Sequence, residues 1–284
     1  MKNYLFIVLL LICIQPASHG QIFSATDNIH VLSSTDAKLK SQETHQKTWS
    51  IVFPFETAKG NFIYFCDPQN RKSETYRIDK DGTLGAKVDS GSGLHPTWSI
   101  IFPFEVAGET FIYFYDQQGG ISATYKVNPD GSLGSKADSG SGLHKTWSII
   151  FPFQTATGTF IYFYDQQNGR SVTYRINDDG TTGSEADKGG GLHKTWSIIF
   201  SFQTKKGTFI YFYDPQNRKS VTYPVSQDGK MGYEVDKASG LHKTWSIITP
   251  FEVKGETFIY FYDPDNTITA TYTMNENGKI GTNI

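Results

Sequence analysis

Short stretches of aromatic and β-branched residues alternate with turn-forming residues along most of this chain. In WSIIFPF (147–153) and FIYFY (160–164), apolar side chains fall on both faces of an extended strand, whereas SVTYRI (171–176) alternates apolar and polar positions. Stretches of this length and composition are typical of β-strands. No helical 3.6-residue period appears in residues 40–284, so the pattern predicts an all-β fold.

Turn residues separate these predicted strands. Gly158, DQQNG (165–169) and NDDG (177–180) are favourable turn sequences. A more polar segment, GSEADKGGG (183–191), is a candidate fourth strand. One unit of the pattern therefore contains three strands and a candidate fourth.

The whole unit is repeated five times at a constant spacing. Successive tryptophans, and every other landmark of the unit, are 49 residues apart, at Trp49, Trp98, Trp147, Trp196 and Trp245. A constant period of this size indicates a repeat architecture. The predicted repeats are residues 40–88, 89–137, 138–186, 187–235 and 236–284.

Because both faces of the central strands are apolar, both must be covered by neighbouring sheets. A small sheet stacked between neighbours on both faces is the blade of a β-propeller. A solenoid is the competing architecture, but it needs polar outer faces at its ends. The fifth repeat is as apolar as the third, which favours closure into a ring. We therefore predict a five-bladed β-propeller over residues 40–284, with residues 37–46 joining blade one or blade five.

The strand order within a blade is left open by Pro224, which falls inside the third strand of repeat four. Proline is confined to edges or bulges of sheets. Either the third strand is outermost and the Gly/Ser-rich segment 136–142 is innermost, or the fourth strand is outermost and its pairing breaks near Pro224.

The N-terminus predicts export. Lys2 precedes an apolar run, Tyr4–Ile14, and the small residues Ser18 and Gly20 suit a signal-peptidase site. The run is short for a membrane span, which disfavours the alternative of an N-terminal anchor. We predict a signal peptide at 1–20, a leader at 21–39, and a secreted, extracellular protein.

Charge and cysteine content narrow the possible partners. The formal net charge is −2 and no basic patch is present, so nucleic acid is a poor candidate. Removal of the signal leaves Cys66 alone, which excludes an intramolecular disulfide and indicates a buried apolar residue. We expect a ring that is monomeric and spans no membrane.

No catalytic motif is present, because there is no G-x-S-x-G, H-E-x-x-H or P-loop sequence. The Asp-Gly turns lack the oxygen ligands of a calcium loop. Catalysis needs unlike groups at one place, whereas the distinctive polar residues here occur in four or five equivalent copies. The sequence leads us to expect no enzyme, cofactor or metal.

Repeated polar residues instead suggest repeated weak sites, whose combination on a rigid ring raises avidity. Glycans displayed on a surface are a ligand of that kind. The candidate ligand-binding residues are His95, His144, His193 and His242; Lys145, Lys194 and Lys243; Trp98, Trp147, Trp196 and Trp245; and Asp116, Asp165, Asp214 and Asp263.

Each candidate has a structural alternative. The histidines could tie one blade to the next, the tryptophans could pack between blades, and the aspartates could form Asx turns. Repeat one carries Gln46 in place of the histidine, and repeat two carries Pro96 in place of the lysine.

Five near-identical units, each with TWSIIFPF, FIYFYD and TYRI strands, resemble the tachylectin-2-type five-bladed propeller lectins. The resemblance covers residues 40–284 at the level of architecture, and no residue role is transferred from those lectins. It implies binding of N-acetylated sugars between blades. The units are also similar to bacterial secreted repeats of the form T-W-x-x-I-x-P.

Two functional hypotheses follow. The first is a secreted multivalent carbohydrate-binding propeller with sites at or between blades. The second is a secreted structural or protein-interaction propeller whose repeats are alike because every blade fills an equivalent position. The LHKTW loop varies less between repeats than the ETAKGN-type turn does, which favours binding sites.

Overall fold

The fold is described by a computed structural model for residues 49–284, which contain strands and turns but no helix. Within this range no helix is long and apolar enough to cross a bilayer. The predicted signal peptide, leader and ring-closing segment 37–46 lie outside the described residues.

Twenty strands form five four-stranded antiparallel sheets in a ring, one for each repeat. Blade 1 contains β1 (Ile51–Thr57), β2 (Gly60–Asp67), β3 (Lys72–Ile78) and β4 (Leu84–Ser92). Blade 2 contains β5 (Ile100–Val106), β6 (Glu109–Asp116), β7 (Ile121–Val127) and β8 (Leu133–Gly140). Blade 3 contains β9 (Trp147–Thr155), β10 (Gly158–Asp165), β11 (Arg170–Ile176) and β12 (Thr182–Gly190). Blade 4 contains β13 (Ile198–Thr204), β14 (Gly207–Asp214), β15 (Lys219–Val225) and β16 (Asp236–Ser239). Blade 5 contains β17 (Ile247–Val253), β18 (Glu256–Asp263), β19 (Ile268–Met274) and β20 (Ile280–Asn283). The predicted all-β, five-bladed β-propeller is confirmed.

Strands follow sequence order across each blade, and the first strands of successive blades contact one another. The first strand is therefore innermost and the fourth is outermost. The alternative that placed segment 136–142 innermost is wrong. In blade 4 the pairing of β15 with β16 stops at Thr222, two residues before Pro224. Pro224 has no amide proton to donate, and its carbonyl accepts from the Gly232 amide at 2.8 Å, so the outer pairing is interrupted near this proline.

The core consists of aromatic layers between blades. Between blades 2 and 3, Phe102, Phe104 and Tyr113 share one buried cluster with Trp147 and Phe163 from the next blade. Phe102 stacks on Tyr113 with ring centroids 5.2 Å apart, and Tyr113 meets Phe163 edge-on at 6.3 Å. Equivalent clusters join blades 1 and 2, 3 and 4, and 4 and 5. Both faces of a central blade are buried in this way, as the apolar pattern predicts.

Candidate functional site

The loop that enters each blade crosses the seam, which is the boundary between that blade and the preceding one. At the seam between blades 3 and 4, the Leu192 amide donates to the Gly169 carbonyl at 3.0 Å. The Tyr164 hydroxyl donates to the His193 carbonyl at 2.5 Å, and Gln166 Nε2 donates to the Trp196 carbonyl at 2.9 Å. Blade 3 therefore holds the backbone of the loop that begins blade 4.

The same arrangement recurs at the neighbouring seams. Tyr115 donates to the His144 carbonyl at 2.6 Å, and Tyr213 donates to the His242 carbonyl. The first seam differs because Cys66 replaces the tyrosine. Arg71 Nε donates to the Leu94 carbonyl there at 2.9 Å, and Arg218 Nε donates in the same way to the Leu241 carbonyl between blades 4 and 5, at 2.8 Å. We call the end of the propeller that carries these loops the loop face.

The candidate aspartates are buried and form turns. The Asp165 carboxylate accepts from the Asn168 amide at 3.0 Å, the Asn168 side chain at 2.7 Å and the Thr146 hydroxyl at 2.7 Å. Burial by itself raises the pKa of Asp165, but these hydrogen bonds outweigh it and leave the pKa below its usual value. Asp116, Asp214 and Asp263 are equally buried and equally bonded to a threonine. The structure thus gives these carboxylates the Asx-turn role, and we leave them out of the ligand site.

Three of the candidate tryptophans are also buried. Trp147, Trp196 and Trp245 are at most 8% exposed, and each packs against a phenylalanine of its own blade, as Trp196 does on Phe212 at 5.5 Å. An indole enclosed between blades has no free face on which a sugar ring can stack. The structure therefore gives Trp147, Trp196 and Trp245 the packing role. The fourth candidate, Trp98, is half-buried.

The histidine side chains, in contrast, are exposed on the loop face at every seam that carries one. The His144, His193 and His242 rings lean edge-on against the tryptophans three residues later, at centroid distances of 5.6, 5.8 and 5.3 Å. Within residues 49–284, the ring nitrogens of His144 and His242 form no hydrogen bond. His95 differs, because its Nδ1 lies 2.8 Å from the Thr97 hydroxyl and 3.5 Å from the Asp116 carboxylate.

The lysines next to these histidines are exposed as well. Lys145, Lys194 and Lys243 form no ion pair with any residue from 49 to 284. The structure therefore brings one exposed imidazole and one exposed ammonium group together at three equivalent seams. We call each such pair of exposed side chains a histidine-lysine crest. In the described chain no three His, Cys, Asp or Glu side chains converge as a metal site would require.

Two features of the site are not evident from the sequence. Lys219 lies 5.5 Å above the Trp196 ring, with its Nζ 3.3 Å from His193 Nε2, so it adds a second cation to that seam. At three seams a tyrosine hydroxyl holds the histidine carbonyl, and this tyrosine is predicted only as part of a strand. Its loss in a single repeat, at Cys66, is the signal that could have marked it.

Comparison with known proteins finds no matching family model and no matching curated protein. Solved structures do match. A protein of Bacteroides fragilis, provisionally assigned as a 6-phosphogluconolactonase, is similar at TM-score 0.54 and 14% identity, over 81% of this chain and 69% of that one. The exo-β-1,3-galactanase of Phanerochaete chrysosporium with galactose gives TM-score 0.52 and 9% identity, over 81% of this chain and 61% of that one. A GH43 β-1,3-galactosidase with galactodeoxynojirimycin gives TM-score 0.52 and 10% identity, over 80% of this chain and 91% of that one.

These matches show the fold, and they correct one expectation. We expected no enzyme because the polar residues are repeated, yet propellers of this fold include a galactanase and a galactosidase. A propeller architecture is therefore no ground for excluding catalysis, and that exclusion is wrong. At this level of identity no activity is transferred to this chain. These three similar structures are not named as lectins, so the tachylectin-2 resemblance stays a prediction beyond the shared five-bladed architecture.

Proposed function

We propose that this protein is a secreted, multivalent carbohydrate-binding propeller whose ligands contact the histidine-lysine crests at the seams. One observation carries the proposal. In the LHKTW loop, the leucine, the threonine and the tryptophan side chains all have partners inside the fold, as do the histidine carbonyls. The exposed imidazole and ammonium groups are what the loop presents outward.

The chemistry of the crest suits sugar hydroxyls. An imidazole can donate or accept a hydrogen bond and an ammonium group donates up to three, so together they can serve adjacent hydroxyls. Each crest offers only two polar side chains, so we expect a single crest to bind weakly. Several crests on one rigid ring raise the avidity for a glycan-coated surface by about 10²–10⁴-fold. The names of the galactan- and galactoside-acting fold neighbours support sugars as the ligand class.

The test begins with a glycan array probed with the exported protein, followed by calorimetric stoichiometry for each hit. We expect about three sugars per chain, one for each of His144, His193 and His242, because Pro96 follows His95 and leaves that seam without the lysine. Export itself is checked by sequencing the N-terminus of the secreted protein, which should begin at Gln21. A blank array on folded protein would refute sugar binding and favour the protein-interaction hypothesis.

A triple variant assigns the binding to the crests. Replacing His144, His193 and His242 by alanine should abolish most of the avidity while leaving the melting temperature nearly unchanged. The matched control replaces Ser139, Lys188 and Lys237, which are exposed equivalents of one another on the outermost strands. If the control loses as much binding as the histidine variant, or if the histidine variant unfolds, the crests are not the sites.

A further inference from the structure

A second cation accompanies the histidine-lysine crest between blades 3 and 4. It is Lys219, the first residue of β15, whose Nζ lies 3.3 Å from His193 Nε2. Because an ammonium group can only donate, Nε2 accepts this hydrogen bond and the imidazole proton lies on Nδ1. The imidazole is then neutral, so Lys194 and Lys219 supply the positive charge of this crest.

The seams on either side carry a second cation as well. In blade 3, Arg170 occupies the position that Lys219 has in blade 4. Between blades 4 and 5 the second cation is Arg218, whose Nε donates to the Leu241 carbonyl at 2.8 Å, next to His242 in the chain. Three consecutive seams of the loop face therefore each present one histidine and two Lys or Arg side chains.

These cations have little negative charge around them. None of the six forms an ion pair with any residue from 49 to 284; they are Lys145, Arg170, Lys194, Arg218, Lys219 and Lys243. The charges of Arg170 and Lys219 do act on the buried Asp165 and Asp214, without ion-pair contact. Those two carboxylates are bonded within their turns, and they are too few to balance six cations.

The fold separates this positive charge from most exposed carboxylates. Among the entry loops and the turns between second and third strands in residues 49–284, Asp265 of blade 5 is the only exposed acidic side chain. The turns between third and fourth strands lie at the opposite end of the propeller. Each of them carries an exposed carboxylate, and these are Asp81, Asp130, Asp179, Asp228 and Glu276. The formal net charge of −2 therefore conceals a basic surface on blades 3 and 4, which no run of basic residues marks in the sequence.

We propose that the glycan bound at these three seams is acidic, and that its carboxylate or sulfate groups contact the paired cations. This inference rests on the proposed function and names its ligand class. Hydrogen bonds from Lys or Arg to an anionic oxygen are about twice as strong as those between neutral groups. The histidine remains available for a neighbouring hydroxyl. Anionic groups that recur along a polysaccharide suit a series of basic seams on one rigid face.

Matched polysaccharides test whether charge is recognised. A sulfated galactan and its desulfated form share one backbone, as do polygalacturonate and its methyl ester, so the members of each pair differ mainly in charge. We expect the charged member of at least one pair to bind the exported protein at least about 10-fold more tightly, as measured by surface plasmon resonance. This binding should weaken by about 10-fold between roughly 0.05 and 0.5 M salt, because salt screens exposed charges. The pair that responds identifies sulfate or carboxylate as the bound group.

A double variant assigns the effect to the second cations. Arg170→Gln with Lys219→Gln removes two charges and leaves the histidine and lysine of every crest in place. The affinity for the charged polysaccharide should fall at least about 10-fold, since one exposed ion pair contributes roughly fivefold. The control, Lys80→Gln with Lys279→Gln, removes the same charge from exposed turns at the opposite end and should change the affinity by less than about twofold.

Equal affinity for the charged and neutral members of both pairs would overturn the acidic ligand class, as would no binding to any of the four. Equal losses from the two double variants would also overturn it. So would binding of a DNA duplex or of phosphatidylserine vesicles as tight as that of the polysaccharide, because charge alone would then be sufficient. The glycan array and the triple histidine variant report on sugar binding independently. A neutral sugar that binds at the crests would leave the proposed function standing while this inference fails.

Discussion

The tyrosine that holds the histidine carbonyl at three of the seams offers a sharp test of how the seams are stabilised. Tyr164 is fully buried, and its hydroxyl donates to the His193 carbonyl of the next blade at 2.5 Å. The change Tyr164→Phe removes this bond and leaves the ring packing intact. A neutral hydrogen bond contributes about 0.5–1.5 kcal/mol, and a partly buried carbonyl left without a partner adds a further penalty. We expect a loss of about 1–2 kcal/mol in the free energy of unfolding.

The control lies two residues away on the same strand. Tyr162 is 1% exposed, and its hydroxyl has no hydrogen-bond partner within residues 49–284. Burial raises the pKa of Tyr162, and the nearby Ser171 hydroxyl offsets only part of that rise. Removing a buried hydroxyl without a partner relieves its desolvation, so Tyr162→Phe should leave stability unchanged or raise it by up to about 1 kcal/mol.

Urea unfolding, followed by tryptophan fluorescence and by circular dichroism, measures both variants against the parent protein. Coincident transitions with the two probes and equal m-values are needed for the comparison. A loss of about 1–2 kcal/mol should lower the melting temperature by about 2–8 °C for a domain of this size. If Tyr164→Phe and Tyr162→Phe lost the same free energy of unfolding, the reasoning would be refuted. The hydrogen bond across the seam would then contribute no more to stability than a buried hydroxyl without a partner.

Two further predictions concern turns. Because hydrogen bonds hold the folded pKa of Asp165 below the usual 3.8, its ionised form contributes stability above that pH, and this contribution is lost as the pH falls through the folded value. The urea midpoint of Asp165→Asn should therefore fall furthest below that of the parent protein at about pH 6 and least at about pH 3. A difference between the two midpoints that stays constant with pH would contradict this. Gly180 has a φ of 82°, and Gly180→Ala would place a Cβ 2.3 Å from the Phe111 ring. This variant should lower the free energy of unfolding by about 2–4 kcal/mol. The control is Gly191→Ala, at a residue with a φ of 72° and open space around it. It should lower the free energy of unfolding by only about 1 kcal/mol. Equal losses for the two variants would show that the ring contact is unimportant.

Much of the fold can be predicted from the repeated pattern. The constant spacing of 49 residues determines the number of blades, and the apolar residues on both faces of FIYFYD require a sheet on either side. The strand order could not be deduced, because placing the first or the fourth strand at the axis satisfies the same local alternation. What decides it is which strands of neighbouring blades contact each other, a long-range property that the pattern within one blade does not contain.

The candidate site was predicted less well, for a physical reason. Repetition marks residues that seams and turns require as strongly as residues that a ligand requires. Asp165 and Thr146 illustrate this, since they come from different parts of the repeat and meet in one buried turn. A threonine precedes the aspartate by 19 residues in all five repeats, and that paired spacing was a readable sign of a structural role.

The side chains of the LHKTW loop recur from repeat to repeat for different reasons. Leu192 packs into the core between blades 3 and 4, Thr195 bonds the buried Asp214, and Trp196 is enclosed. Fitting each blade to its neighbour is enough to keep these residues constant. It gives less reason to keep His193 and Lys194, because the fold holds the backbone carbonyl of His193, which any residue supplies, and the exposed imidazole only leans edge-on against Trp196. The repeated imidazole and ammonium groups are thus the part of the motif that packing explains least, and the binding experiments should start with them.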